Sequence, residues 1–484
     1  MDTEVLIVGA GPTGMTLANE LLVAGVPTVL VDKLAQRSQL SKAGGVQSRA
    51  QEAFDQRGLL EPLLATGNHQ TSIAHFAGSP LLHTRGRHRL PWRSIPQVVV
   101  EGVLEQHLAA HDIHVRRDHE LTGLTQHDHG VTATFANDVT IEAGYVVAAD
   151  GGRSTVRSLL GAEFPGRAGT STVIAADVRL DGDVPMLTRA RSEDGYSAQV
   201  FTLGTDQEGR PLHRLALGGL DGSRSRDVPV TEDEIRDGLR SVYGDRVRLL
   251  ELRYARRITN AARQAARYRH GRVFLAGDAA HVHLPIGAQG MNTGIGDALN
   301  LGWKLGAAVH NWAPEQLLDT YHAERHPVAA AVLRNVQAQS LLMDLDGTND
   351  PDVLAAKDLF ASLMQLPEVQ YHLDDMLSGI GIRYAIPGSD DRPLVGLPAP
   401  DRNVGPARLH ELLRSGRGVL LDPSDELAEL ADPWADRVDR MGAGADTEPM
   451  LIRPDGYVCW TADEDHSTDG LAAALSSWFG IPHG

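Results

Sequence analysis

Cysteine is almost missing from this chain: among 484 residues only Cys459 carries a thiol. One thiol excludes an intramolecular disulfide, a CxxC redox pair and a cysteine-based metal cluster. Basic residues are also in deficit. Lys and Arg number 45 against 63 Asp and Glu, a formal net charge of −18, which makes nucleic acid and anionic membranes poor partners. No apolar run approaches the ~20 residues of a membrane span. Residues 1–31 are apolar, but they lack a basic start and contain Gly9, Gly11, Gly14 and Glu20, the marks of a strand–helix–strand and not of a signal peptide. There is no HExxH, no Ser/His/Asp set and no convincing carboxylate pair, so no catalytic base is assigned and no metal is expected. These absences leave a soluble, cytoplasmic enzyme, long enough for two or three domains.

Glycine is present in two informative places. Residues 4–14, EVLIVGAGPTG, run from an apolar strand into Gly9-x-Gly11-x-x-Gly14. Gly9 permits the tight turn, Gly11 lets backbone approach a pyrophosphate, and Gly14 lets the following helix pack on the sheet. Pro12 falls in the first helical turn, where its missing N–H is no loss. A second strand, 27–31, ends on Asp32, about 20 residues after the glycines and placed for a ribose hydroxyl. The other place is 273–304, VFLAGDAAHVHLPIGAQGMNTGIGDALNLGWK. It reads as a strand (273–275), a tight loop and a long helix with small residues along it. Asp278, at the strand's end, can accept hydrogen bonds from sugar-like hydroxyls. Gly287, Gly290 and Gly294 leave backbone N–H groups bare at a helix start, where carbonyls or anions dock. Two such elements nearly 270 residues apart suggest one large cofactor gripped at both ends.

Between them, Pro96-Gln97 opens a helix over 98–110. Strands at 112–116, 121–127, 131–135 and 139–148 follow, the last running into Asp150-Gly151-Gly152 and a helix at 154–160. From about 171 to 257, alternating segments (173–180, 197–203, 213–219, 249–255) and one helix (232–243) predict an antiparallel sheet. This sheet interrupts the cofactor domain, because the Asp278 element belongs with the first part of the chain. Helices are expected at 296–310, 314–335 and about 352–378. Prolines 387, 393, 398, 400 and 406 mark a linker into a final domain with strands 419–421, 450–453 and 457–460 and a closing helix, 471–479. The expected architecture is α/β: a Rossmann-like cofactor domain (1–170 and 258–385), an inserted antiparallel-sheet substrate domain (171–257) and a C-terminal domain (395–484).

The glycine fingerprint, Gln97, Asp150-Gly151 with Arg153 and Arg157, and Gly277-Asp278 together resemble the FAD-dependent aromatic hydroxylases. These are single-component flavoprotein monooxygenases of the p-hydroxybenzoate hydroxylase type. The likeness covers almost the whole chain. Within the group it is nearest to the angucycline and other aromatic polyketide hydroxylases, which carry an extra thioredoxin-like C-terminal domain. The finer match rests on Phe54-Asp-Gln-Arg-Gly58, His281-Val-His-Leu-Pro285, Gly287-x-Gln289-Gly-Met-Asn292, Asn300-Leu-Gly-Trp-Lys304 and Leu451-Ile-Arg-Pro-Asp-Gly456.

The resemblance implies roles residue by residue. Gly9, Gly11, Pro12, Thr13 and Gly14 would take the FAD pyrophosphate, and Asp32, with Lys33 beside it, the adenosine ribose. Gln97 would bind the ribityl or phosphate side and Asp278 the ribityl chain. Pro285 would lie near the flavin ring, with the N–H groups of Gly290, Met291 and Asn292 facing its pyrimidine carbonyls and stabilising negative charge there. Asp150 would bridge FAD and NAD(P)H, although a tight strand-to-helix turn explains it nearly as well. Relatives usually carry Arg where Lys42 stands near the pyrophosphate; Lys keeps the charge and loses the planar fork. Arg49 is a second phosphate candidate, with a surface salt bridge as the alternative. NADPH (or NADH) would reduce FAD, and a flavin C4a-hydroperoxide formed with O2 would hydroxylate a polycyclic, angucyclinone-like polyketide. Antibiotic modification, Baeyer–Villiger insertion and non-redox cyclisation are the alternatives, and a monomer or homodimer is expected. His281 and His283 flank the flavin loop, where structural hydrogen bonding is the leading role. Tyr196, Phe201 and His213 are wall or core residues of the middle sheet, core being favoured, and Cys459 cannot cycle a dithiol.

Overall fold

A computed structural model describes residues 1–39, 41–67, 69–71, 74–83, 90–186, 189–205, 209–219, 225–343, 350–390, 392–442, 448–462 and 470–482. Four parallel strands lie side by side in the order Val273–Leu275, Thr140–Ala148, Thr3–Val8 and Thr28–Val31. Their apolar runs do not alternate, as burial on both faces requires. Val5, Leu6, Ile7, Val146, Val147 and Phe274 are all fully buried. Strands Gly130–Phe135 and Leu121–His127 extend the sheet as an antiparallel hairpin. The carboxyl ends of the parallel strands bring Gly9, Asp32, Asp150 and the 276–278 loop to one edge, where open α/β sheets bind ligands.

Several boundaries differ from expectation for physical reasons. The strand expected at 112–116 shrinks to a single bridge between Val31 and Arg116. Asp112 and Asp118, at φ +60° and +56°, turn the chain on either side of it. Helix Gln289–Val309 starts seven residues before the expected 296, so its glycines lie inside it. They are spent on close packing against helix Pro12–Val23. A Cβ at Gly294 would meet Thr13 Oγ1 at 2.3 Å, one at Gly302 would meet Glu20 Cβ at 2.3 Å, and one at Gly306 would meet Ala24 Cβ at 2.7 Å. The helix expected at 314–335 runs instead over Asp319–Leu342. The one expected at 352–378 is two, Pro351–Leu363 and Pro367–Ser378. Pro367 opens the second because it cannot continue the first.

The middle sheet is antiparallel, in the order Ala190–Arg191, Ser197–Thr205, Pro211–Gly218, Thr172–Gly182, Val247–Thr259. Helix Glu232–Tyr243 covers one face over Ile174, Ala176, Val178, Val200, Leu215 and Leu217. In the thioredoxin-like C-terminal domain, Gly418–Leu421 pairs in parallel with Val438–Met441 and antiparallel with Met450–Ile452, which pairs with Val458–Thr461. Val438–Met441 escapes sequence reading because VDRM is short and half polar. The proline-rich linker is docked: Tyr384, Val395 and Ala399 are buried, and the Tyr384 ring stacks on Tyr457 at 4.1 Å.

Charged residues seal the C-terminal domain onto the rest. Arg57 pairs with Glu20 at 2.7 and 2.8 Å and donates to the carbonyls of Leu413 and Pro454, both at 2.9 Å. Glu324 accepts from Arg453 at 2.7 and 2.9 Å and from Lys304 at 3.0 Å. Burial alone would raise the Glu324 carboxyl, but Arg453 and Lys304 outweigh it and hold it at about 2. Burial lowers the Lys304 ammonium to about 8 against the pull of Glu324. The segments 54–58 and 451–456 thus meet each other across this interface.

Candidate functional site

The glycine turn is shaped by close approach. Gly9 sits at φ +108°, and a Cβ there would lie 2.3 Å from the Ala149 carbonyl oxygen. A Cβ on Gly14 would lie 1.9 Å from the Gly9 oxygen, whereas one on Gly11 meets nothing within 4 Å. Two glycines serve the fold, and the third leaves an open surface for a ligand. Pro12 is the first residue of its helix. Thr13 wedges its hydroxyl between Gly277 and Gly294, joining the two glycine-rich segments of the sequence. Asp32 accepts from the Ala10 N–H at 2.8 Å and the Leu34 N–H at 2.9 Å, pinning the turn to the second strand. Lys33 is exposed beside it.

Gln97 opens helix Gln97–Ala109 and holds the 41–44 loop. Its Oε1 accepts from the Ala43 N–H at 3.1 Å, its own N–H donates to the Ala43 carbonyl at 3.0 Å, and its Nε2 donates to Glu101 at 2.7 Å. Arg214 of the middle sheet donates to the Ser41 carbonyl at 2.5 Å. The loop is therefore clasped between helix and sheet, with Lys42 exposed on it.

Across from this loop, Asp278 is exposed at the end of strand Val273–Leu275. Arg157 ties its segment to the 150–152 turn, donating to the carbonyls of Ala279 at 2.8 Å and Gly152 at 2.9 Å. Asp150 Oδ2 accepts from the N–H groups of Thr155 and Val156 at 2.7 and 3.1 Å, the turn-and-cap role. Its Oδ1 is buried with no partner among the described residues, and burial raises its pKa. Pro285 is exposed, and behind it Gly287 (φ +68°) and Ala288 (φ +51°) swing the backbone into helix Gln289–Val309. A left-handed alanine at a helix start is uncommon and points to an imposed geometry. The first-turn N–H groups of Gly290 and Met291 have no intrahelical partner. The Asn292 side chain is occupied: it accepts from the Gln47 N–H at 2.9 Å and donates to the carbonyls of Gly45 at 3.0 Å and Ala288 at 2.7 Å.

The histidines separate in role. His281 Nε2 lies 2.8 Å from Asp297 Oδ2, which also accepts the Gly277 N–H at 3.0 Å; Arg325 Nε donates to Oδ1 at 2.7 Å. Burial opposes ionisation of Asp297, but Arg325 and His281 outweigh it and hold the carboxyl at about 2. His283 bonds the Leu284 carbonyl at 2.7 Å through Nδ1, and burial lowers its pKa. With its other nitrogen it has no partner among the described residues, so the neutral ring presents a lone pair there.

One assignment needs correction. Arg49 is neither at the glycine turn nor on the surface. It is buried, donates to Glu52 at 3.2 Å and to the Asp455 carbonyl at 2.6 Å, and lines a cavity with Arg325, Tyr384 and Tyr457. Seven residues of sequence separate it from Lys42, but helix Ser48–Asp55 turns it toward the C-terminal domain. In the middle sheet, Tyr196 packs against the core under helix Glu232–Tyr243. Phe201 points the other way and stacks on His75 at 6.1 Å. His213 alternates with Arg214 and so leaves that face. Sequence reading missed Asp297 and Arg325, whose partners lie on three different elements.

The open surface over Gly11, the exposed Asp278 carboxylate and the bare helix start fit a dinucleotide cofactor lying across the strand ends. Comparison with known proteins agrees. Residues 2–336 match the family model for the FAD binding domain, and residues 392–482 that for the aromatic-ring hydroxylase C-terminal domain. The chain is 39% identical over 512 residues to a 12-dehydrotetracycline 5-monooxygenase/anhydrotetracycline 6-monooxygenase of Streptomyces rimosus, covering 100% of both chains. It is 38% identical to a rifampicin monooxygenase of Streptomyces venezuelae, covering 99% of this chain and 98% of the relative. A dialkyldecalin synthase of Streptomyces rugosporus is 36% identical, with 99% of each covered. Among solved structures, CabE, an aromatic hydroxylase from angucycline biosynthesis, superposes with a TM-score of 0.88 at 35% identity over 100% of both chains. The chain belongs to the FAD-dependent aromatic-ring hydroxylases and is a flavoprotein monooxygenase that uses FAD with NAD(P)H.

Proposed function

We propose that the substrate is a polycyclic aromatic polyketide, of angucyclinone or tetracycline type, hydroxylated with NADPH (or NADH) and O2. The observation that carries this reading is full-length likeness to hydroxylases of fused-ring substrates, joined to a sheet face that bears Phe201, Arg214, Tyr254 and Arg256, the last within electrostatic reach of Asp278. Bound FAD, once reduced, supplies the activated oxygen. The protein's own residues hold and orient. Gly9 and Pro12 shape the turn from which Gly11, Thr13 and Gly14 offer backbone N–H groups to the pyrophosphate, with Asp32 on the adenosine ribose and Asp278 on the ribityl hydroxyls. Gly290 and Met291 offer N–H groups to the flavin carbonyls, and Asn292 holds that helix start through its side-chain bonds to Gly45, Gln47 and Ala288. Gln97 acts from its helix start and Lys42 from the loop that Gln97 holds, and Asp150 through the turn that Arg157 ties to the Asp278 segment. Division of labour follows the chain: 1–170 with 258–385 binds FAD, 171–257 walls the substrate, and 395–484 buttresses the cofactor domain. No helix among the described residues is long and apolar enough to cross a membrane; a cytoplasmic monomer or homodimer fits this reading.

The test is yellow holoenzyme incubated with a panel of polycyclic phenols, NADPH and air. Substrate-stimulated NADPH oxidation with a product one oxygen heavier is expected. Turnover without O2 and reductant would instead favour a cyclase, the reaction class suggested by the name of the dialkyldecalin relative.

A further inference from the structure

The middle sheet carries a guanidinium, that of Arg256, with no hydrogen-bond or ion-pair partner among the described residues. In an antiparallel sheet, paired residues and residues two apart share a face. Asp177 pairs with Arg214 and with Tyr254, Ala175 with Arg256, and Phe201 with Arg214. These residues therefore line one face, opposite the one under helix Glu232–Tyr243. Arg257, the next residue along, confirms the alternation: it reaches that helix and pairs with Glu234. The Arg256 face looks onto the cofactor cleft, since Arg214 bonds Ser41 and Phe201 stacks on His75. Downstream of Arg256, strand Ala262–Gln264 pairs with His281–Val282, directly beyond Asp278.

Arg214 is neutralised by two bonds to Asp177. Lys42 is exposed and solvated. Arg256 differs from both: it is half-buried, and among the described residues its guanidinium has no hydrogen-bond or ion-pair partner. The titratable groups around it are Tyr254, Arg214, Asp278 and Asp177, and burial lowers its own pKa. Asp177 is committed to Arg214, and Tyr254 is a phenol that burial pushes up. Asp278 favours the charge from a distance but is exposed and makes no ion pair with Arg256; a partly desolvated cation facing a ligand cleft with no direct partner among the described residues suits an anionic ligand.

We propose that Arg256 binds an ionised phenol or enol oxygen of the substrate. This rests on the aromatic-polyketide reading above and names the contact that would fix ring orientation. A guanidinium favours the oxyanion, whose proton leaves to bulk water, and an ionised ring is the better nucleophile toward an electrophilic oxygen.

The probe is 1-hydroxyanthraquinone, whose visible band moves to longer wavelength on ionisation, titrated into oxidised holoenzyme across a pH series. Wild type should lower the pKa of the bound dye by about one unit or more. Arg256→Gln should abolish that shift and weaken dye binding about tenfold, as expected for loss of a charge-assisted hydrogen bond. Arg256→Lys should keep part of both, and FAD retention should be unchanged in all three. A wild-type bound pKa equal to that of free dye would overturn the inference, as would an Arg256→Gln holoenzyme matching wild type in affinity and shift. So would a defect confined to FAD retention or the KM for NADPH. If wild type binds no polycyclic phenol at all, the substrate reading fails together with the inference; dye binding indifferent to Arg256 sinks the arginine alone.

Discussion

A methyl group added at Gly11 and one added at Gly14 would have opposite consequences. At Gly14 it strikes backbone 1.9 Å away, so Gly14→Ala should unfold the turn and give little soluble protein. At Gly11 it meets no protein atom, so Gly11→Ala should leave the melting temperature of the FAD-free protein within about 1 °C while weakening FAD about tenfold or more. Flavin fluorescence on titration reads the second effect; equal FAD affinity in wild type and Gly11→Ala would remove the pyrophosphate from that surface. The buried carboxylates carry a pH signature. Glu324 and Asp297 are both held at about 2, below the ordinary 4.5 and 3.8. A depressed folded-state pKa stabilises fully above the unfolded value and loses that contribution as pH falls through the folded one. Stability should therefore decline from about pH 4.5 toward pH 2, by on the order of 3 kcal/mol for Glu324. In thermal melts, Glu324→Gln should be less stable at pH 7 and show a shallower acid decline.

At the scale of elements, helix Gln289–Val309 does most to position the site. Its N-terminus faces the cofactor cleft, Asp297 holds the 277–281 loop, and its glycines admit helix Pro12–Val23. Gly302→Leu should separate the two helices and cost several kcal/mol, because the new side chain meets Glu20 within the core. An unchanged urea midpoint would contradict that packing. The parts legible in sequence were those with local rules: the glycine turn, apolar parallel strands, the alternating middle sheet, and Asp278 after its strand. Arg49 was misplaced because helical twist, not sequence proximity to Lys42, decides where it points. Arg256 was invisible because what distinguishes it, the lack of a direct partner among the described residues, follows from Asp177 pairing with Arg214 across the strands. Similarly, 54–58 and 451–456 could be read as family marks but not as partners, since nothing in either segment reveals the other.

Across the whole molecule, the C-terminal domain behaves as a buttress held by buried charge. Cys459 is buried, and burial pushes its thiol far up, which leaves it inert toward disulfide chemistry. Arg453→Met would strand Glu324 without its bidentate partner and should cost about 3–5 kcal/mol. A chain ended at residue 385 would expose Arg57, Glu324 and Lys304 together and should fail to accumulate as folded holoenzyme; recovery of a stable yellow fragment would contradict the buttress. The central claim is that one FAD, spread between the glycine turn and the 278–292 loop, lets this chain insert oxygen from O2 into a polycyclic aromatic ring. Turnover of the purified yellow protein with NADPH and a polycyclic phenol under 18O2, read by mass spectrometry, tests it most directly. The account predicts a hydroxylated product carrying one 18O atom; unlabelled product, or a polypeptide that stays colourless after incubation with FAD, would contradict it.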